Sequence, residues 1–268
     1  MDLDFFQVTF LAALQGFTEF LPISSSGHLI LPSLLLSWDD QGLTFDVAVH
    51  IGSLVAVLAY FAKDLQRLLG AFIASVTRQD HSADSKLAWM LLAATIPAGF
   101  TGLLFNGQIE QYGRSLMLIG VTSIVFAGLL LLSDRTGSKK RTLSNLDWKA
   151  ALIIGLAQVL ALLPGTSRSG VTMTAALFCD LDRAAAARFS FLLAIPIIAA
   201  SGLLRSIDLI RAGSASVEWF VLLYAIFVSA GVAYLCIHYF LQLIERIGFL
   251  PFVIYRVLLG AVLITIAL

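Results

Sequence analysis

Apolar residues fall into long runs parted by short polar segments. Six of these runs, approximately 47–62, 87–106, 116–133, 188–204, 217–238 and 252–268, come close to the ~20 residues a helix needs to cross a bilayer. Three other apolar pieces are short or interrupted: 5–21 stops at Pro22, 29–36 contains Pro32, and 171–178 is only eight residues, or ~12 Å of helix. Such pieces predict two re-entrant hairpins, about 5–36 and 150–178, each returning to its own side. Irregular backbone at that depth requires burial by protein or a water-filled cavity.

The halves, about 1–140 and 141–268, then hold one hairpin and three spanning helices each. An odd number of crossings inverts the second half relative to the first, a plan in which broken helices meet near the midplane. The hairpin tips look like copies of each other. Superposing Gly27 on Gly170 sets Ser26 on Ser169, Ser25 on Arg168 and Ser24 on Ser167. The expected fold is an all-α polytopic membrane protein, a single integral membrane domain over 1–268. It has six transmembrane helices plus two re-entrant helical hairpins in an inverted repeat.

Composition agrees. Hydrophobic residues make up 59% of the chain and charged residues 13%, with a mean hydropathy of +0.92; a soluble domain carries about 25% charged residues. No basic stretch precedes the first apolar run and no small-residue cleavage site follows it, so a removable signal peptide is not expected. The net charge is zero, and nucleic acid is not an expected partner. Cys179 and Cys236 lie in or beside apolar runs and read as packing residues. Lys63, Arg67, Arg78 and Lys86 fall in segment 63–86, and Arg135, Lys139, Lys140, Arg141 and Lys149 in 134–149; Arg183, Arg188 and Arg246 share their side. Only Arg114, Arg205 and Arg211 fall opposite. The richer side is expected to be cytoplasmic, leaving both termini outside.

The chemistry is concentrated at the hairpin tips. An ionisable group at membrane depth costs at least ~2.5–3.5 kcal/mol and marks a functional site by default. Glu19 is such a group. Gln15, four residues earlier, shares its helical face, and their oxygens could hold one hard divalent cation that completes its octahedron with water and phosphate oxygens. A structural hydrogen bond from Glu19 to buried backbone is the alternative. Ser24, Ser25, Ser26 and Gly27 make a turn into a short helix, where N–H groups and hydroxyls suit an anion, although any one serine could be a cap. His28 can move a proton or ligate a metal, whereas His50, His81 and His238 lack polar company and read as structural. Arg168 offers a planar fork to phosphate, flanked by Gly165, Ser167 and Ser169, with Thr172 on the helix that follows. Arg256, just inside the last run, is expected to snorkel to the surface.

The stretches QGFTEFLPISSSGH and PGTSRSGVT resemble the two signature regions of the bacterial undecaprenyl-diphosphate phosphatases, the bacitracin-resistance family. The resemblance extends over essentially the whole chain, including 45–55, 96–99 and 188–196. Gln15 and Glu19 fit the family's first motif, a Glu or Gln followed by three residues and then a Glu; its serine pair falls on Ser24 and Ser25 and its histidine on His28. The second motif falls on Pro164, Gly165, Ser167, Arg168, Ser169 and Thr172.

The resemblance implies a membrane hydrolase that converts undecaprenyl diphosphate to undecaprenyl phosphate and inorganic phosphate. That reaction recycles the carrier for peptidoglycan synthesis and cell wall biogenesis, with consequences for cell shape and antibiotic resistance to bacitracin. It implies Mg²⁺ or Ca²⁺ as cofactor. It also implies a multi-pass protein of the bacterial inner membrane whose site opens to the periplasmic side. The expected partners are the polyprenyl diphosphate lipid and the bilayer; a homo-oligomer is left open.

In this expectation Glu19, Ser25, His28 and Arg168 are catalytic, with Ser25 or a water as nucleophile and His28 as the base. Ser24, Ser26, Ser167, Arg168, Ser169 and Thr172 bind phosphate, and Glu19 with Gln15 holds the metal. Two rival readings stand beside it. The type-2 phosphatidic-acid phosphatases require a histidine six residues after the arginine, where this chain has Thr174. A polyprenyl-phosphate transporter or flippase could share the inverted repeat, because fold alone does not fix function.

Overall fold

The computed structural model describes residues 3–36, 38–79, 81–105, 115–211 and 218–268. Among them the chain is helical, with no strand and one isolated bridge between Arg141 and Leu181. The helices are α1 (Phe5–Thr18), α2 (Ser25–Leu35), α3 (Gly42–Tyr60), α4 (Ala62–Arg78), α5 (Ala83–Leu104), α6 (Leu116–Thr136), α7 (Trp148–Gln158), α8 (Arg168–Phe178), α9 (Arg183–Arg211), α10 (Trp219–Ile247) and α11 (Leu250–Ala267).

Among the described residues six helices are long and apolar enough to span a membrane: α3, α5, α6, α9 over Arg183–Ile207, α10 and α11. Their outward faces leave Phe220, Phe227, Ile96 and Leu258 more than half exposed, as lipid contact requires. The chain is therefore an all-α polytopic membrane protein. Helix α10 outruns its expected end at 238 because Phe240 and Ile244 keep the buried helical spacing while Gln242, Glu245 and Arg246 turn outward.

Helices α1, α2, α7 and α8 are too short to cross. At 1.5 Å per residue α1 reaches ~21 Å and α2 and α8 ~16 Å, against ~30 Å of hydrocarbon. Helix α1 starts in a capping box, with the Gln7 N–H donating to Asp4 Oδ1 (2.8 Å) and the Asp4 N–H to Gln7 Oε1 (3.0 Å). A 3₁₀ turn, Val159–Leu162, prolongs α7 toward its tip.

The basic segments sit at one end of the bundle. Arg183 at the start of α9 grips Asp134 near the end of α6 with two hydrogen bonds (2.7 and 2.9 Å) and reaches the Glu245 carbonyl at the end of α10. Arg188 bonds Asp64 of α4 (2.9 Å), and Arg67 of α4 pairs with Asp84 of α5 (3.1 Å). Arg114, assigned to the other side, lies outside the described residues, as does the side chain of Arg211.

Segment 63–86, expected as a loop, is largely the helix α4. Leu65, Leu68 and Phe72 face the core, Leu69, Ile73 and Val76 form an exposed apolar stripe beside them, and Lys63, Gln66, Arg67 and Arg78 occupy the rest. This is the pattern of a helix lying in a membrane interface. Its charges hid it from a search for uninterrupted apolar runs.

Helix association in lipid favours small residues that let backbones approach. A side chain at Gly52 of α3 would strike the Ile226 carbonyl and Ser229 of α10, and Gly120 of α6 and Gly260 of α11 lie against each other's backbone. Ser229 also donates to the Val49 carbonyl (2.7 Å). These contacts fix α3 and α10 around the first hairpin.

Candidate active site

Both hairpins turn in the same way. Ser24 (φ +73°) caps α2 by accepting from the Gly27 N–H (3.4 Å), and Ser167 (φ +70°) caps α8 by accepting from the Gly170 N–H (3.1 Å). Left-handed backbone at a serine is unfavourable by roughly 1–3 kcal/mol and clusters at functional sites. It persists here because the hydroxyl satisfies a helix N–H that glycine would leave bare. In each tip the cap also lies beside the serine two residues on, Ser24 Oγ to Ser26 Oγ at 3.4 Å and Ser167 Oγ to Ser169 Oγ at 3.2 Å.

The two tips touch. Ser169 Oγ donates to the Leu21 carbonyl (2.7 Å). Arg256 of α11 donates to the carbonyls of Pro22 (3.2 Å), Gly165 (2.9 Å) and Thr166 (2.9 Å). It is fully buried, which corrects the expectation that it snorkels: the tips offer their free carbonyls nearly two turns inside α11, and the guanidinium turns inward to them. The second tip also leans on α6, with Thr122 donating to the Pro164 carbonyl (2.5 Å).

Gly165 (φ +83°) completes that turn, and a Cβ there would meet the Ile119 backbone and the Thr122 hydroxyl. Gly165→Ala is expected to cost about 2–4 kcal/mol through strain plus overpacking. Gly42→Ala, also at positive φ but with open space around it, should cost only about 1–2 kcal/mol. Thermal unfolding of both variants in detergent checks the difference.

Glu19, buried at the end of α1, is the hub. Its Oε2 accepts from Ser25 Oγ (2.7 Å) and Gln15 Nε2 (3.0 Å), and its Oε1 from Arg168 Nη2 (3.3 Å). Arg168 also donates through Nη1 to the Ser190 carbonyl (3.3 Å), while its buried Nε has no acceptor. Thr172 is fully buried, tied to the Arg168 carbonyl (2.9 Å) and Ser190 Oγ (2.7 Å), and so sets the start of α8. Ser26 is exposed and Ser25 partly so.

Both ring nitrogens of His28 meet partners other than Ser25. Its Nδ1 meets the Ser24 carbonyl (2.6 Å) and its Nε2 the Tyr255 hydroxyl (2.5 Å), and the ring is buried against that tyrosine. The imidazole that does face Glu19 is His50 of α3, with Nε2 3.9 Å from Oε2. Sequence reasoning gave His50 no company because Glu19 lies on another helix, and it missed Tyr255 and Ser190 for the same reason. The signal was a polar residue inside an apolar run, as Glu19 was.

For a divalent cation the donor set fits. Glu19 is a carboxylate with about four lone-pair sites, and Gln15 Oε1 beside it is buried without a donor. Turning that amide would present its oxygen where its nitrogen now lies. Among the described residues no three His, Cys, Asp or Glu side chains converge, so most of the coordination shell would come from water and substrate, as is usual for Mg²⁺.

Comparison with known proteins bears on the whole chain. The family model described as bacitracin resistance protein BacA matches residues 8–262. A protein named undecaprenyl-diphosphatase 1 from Pseudoalteromonas translucida is 54% identical over 258 residues, 96% of this chain and 97% of its own length. Undecaprenyl-diphosphatases of Alteromonas mediterranea and Teredinibacter turnerae are 53% and 51% identical, each over 97% of this chain and 97% and 98% of their own lengths. With both signature stretches folded into touching tips and the match extending over almost every residue, this chain belongs to the bacitracin resistance protein BacA family.

Proposed function

We propose that the chain is an undecaprenyl-diphosphate phosphatase, releasing inorganic phosphate from undecaprenyl diphosphate and leaving undecaprenyl phosphate. The observation that carries the reading is the largely buried guanidinium of Arg168, held by two long bonds and with Nε unanswered, beside a carboxylate that already accepts the proton of a serine hydroxyl. A diphosphate supplies the missing acceptor. The relatives named for this activity support it, and no feature of the site favours a transporter.

Phosphoryl transfer is mostly positioning and charge stabilisation. Arg168, with Ser167 and the first N–H groups of α8, holds the phosphates, and Ser24 and Ser26 serve the same end at α2; Ser169, buried and bonded to the Leu21 carbonyl, ties the tips together instead. Thr172 fixes the start of α8 rather than reaching substrate. Ser25 Oγ attacks the terminal phosphorus and its proton passes to Glu19. The bond from phosphorus to the bridging oxygen breaks and undecaprenyl phosphate departs; water then frees the phosphate from the serine. His28 holds the first tip in place through Ser24 and Tyr255. Glu19 and Gln15 would hold a Mg²⁺ or Ca²⁺ ion, which supplies countercharge to the diphosphate.

The two tips, with one cap geometry and opposite entry implied by the helix order, support an inverted repeat with halves about 1–140 and 141–268. Taking the basic end as cytoplasmic supports the reading of a bacterial inner-membrane protein whose site opens to the periplasmic side.

The test is phosphate release from farnesyl or undecaprenyl diphosphate by detergent-purified wild type, Ser25→Ala and Glu19→Gln, with Mg²⁺, Ca²⁺ or chelator. Metal-dependent release is expected, falling at least about 100-fold in each variant, together with a trapped phosphoserine at position 25. Full activity in Ser25→Ala excludes the serine route. No release by folded wild type under any condition excludes the enzyme.

A further inference from the structure

Three features come together at His50. Its ring sits in α3 with the side chain about one-third exposed, so it is open to the site rather than sealed in the core. Its Nδ1 lies 2.7 Å from the Asp46 carbonyl. A carbonyl only accepts, so Nδ1 carries a hydrogen, and in the neutral ring Nε2 keeps a lone pair. That lone pair faces Glu19 Oε2 at 3.9 Å. A ring whose far nitrogen donates to a backbone carbonyl, with the near nitrogen free, is the arrangement that orients a metal-ligating histidine.

The distance suits a shared ion. With metal–oxygen and metal–nitrogen bonds of about 2.0–2.2 Å, two ligands of one cation stand roughly 3–4 Å apart. Beside them is the buried, donorless Gln15 Oε1. The amide nitrogen of that side chain now donates to the same Glu19 oxygen; with the amide turned, its oxygen would face an ion at Oε2. His28 has no such freedom, because the Tyr255 hydroxyl occupies its Nε2.

We propose that His50 Nε2 is a ligand of the divalent cation, completing a site with Glu19 and Gln15 that joins the first hairpin to α3. This rests on the cation-dependent reading above and adds a nitrogen donor to it. Mn²⁺ shares the oxygen preference of Mg²⁺ and Ca²⁺ and is paramagnetic, which makes it the probe for this nitrogen donor. The coupling is also mechanical: the ion ties α1, through Glu19 and Gln15, to the spanning helix α3.

The experiment uses full-length protein in detergent on a histidine-free tag, titrated with Mn²⁺ with and without inorganic diphosphate. Bound Mn²⁺ is counted by continuous-wave EPR and its nitrogen ligands are read by pulsed EPR, in wild type, His50→Gln and His238→Gln. The proposal expects an imidazole ¹⁴N coupling in wild type that persists in His238→Gln and disappears in His50→Gln, with Mn²⁺ affinity falling about tenfold. Bound Mn²⁺ without ¹⁴N coupling, or coupling that survives His50→Gln, overturns the ligand assignment and leaves the cation at Glu19 and Gln15 standing. No Mn²⁺ bound by folded wild type under either condition overturns the cation site as a whole.

Discussion

Arg168→Ala is expected to lower phosphate release from a polyprenyl diphosphate by about 10²–10³-fold. That is the usual cost of removing one preorganised donor from developing negative charge. The guanidinium is 14% exposed and already lies 3.3 Å from Glu19, so it meets the phosphates without reorganising and with little water to compete. Arg168→Lys keeps the charge but loses the planar fork and should fall between alanine and wild type. The loss should appear in kcat as well as in kcat/KM, because the interaction strengthens in the transition state. Steady-state kinetics on variants matched to wild type by gel filtration and circular dichroism make the measurement. A loss under about tenfold in Arg168→Ala would remove this arginine from the phosphates.

Arg256→Met should be the most destabilising single change among the residues described. The side chain fills fully buried volume and answers three carbonyls from two hairpins, and breaking a buried charged network of this kind costs about 3–5 kcal/mol. Methionine restores much of the volume and none of the donors. A fall of roughly 10 °C in the unfolding midpoint in detergent is expected, with activity lost well below that temperature as the tips part. Arg256→Lys, one point donor in place of a fork, should recover part of both. A variant with wild-type stability and activity would mean that the tips hold together without the clamp.

Much of the fold is legible in the sequence because the bilayer forces every spanning helix to be a long apolar run. All six were visible, with ends shifted where buried spacing continues into polar sequence, as in α10. Helix α4 was hidden because an interfacial helix keeps its charges. The tips stood out because Glu19 and Arg168 are costly in apolar surroundings, and the structure brings those two and Ser25 together. What the sequence withholds is which groups converge from separate helices. His50 meets Glu19 across two helices, and Arg256 meets both tips from a third. Seen only beside its neighbours, Arg256 looks like an interfacial anchor, and His28 beside a serine looks like its base.

The bond from Ser169 to the Leu21 carbonyl, reinforced by Arg256, means that neither half of the chain owns the site. A substitution in one tip is felt by the other, so the two signature stretches cannot drift independently. Paired changes across Gly165 and Arg256 should show strong epistasis, and halves exchanged between distant relatives should work only when both tips come from the same parent.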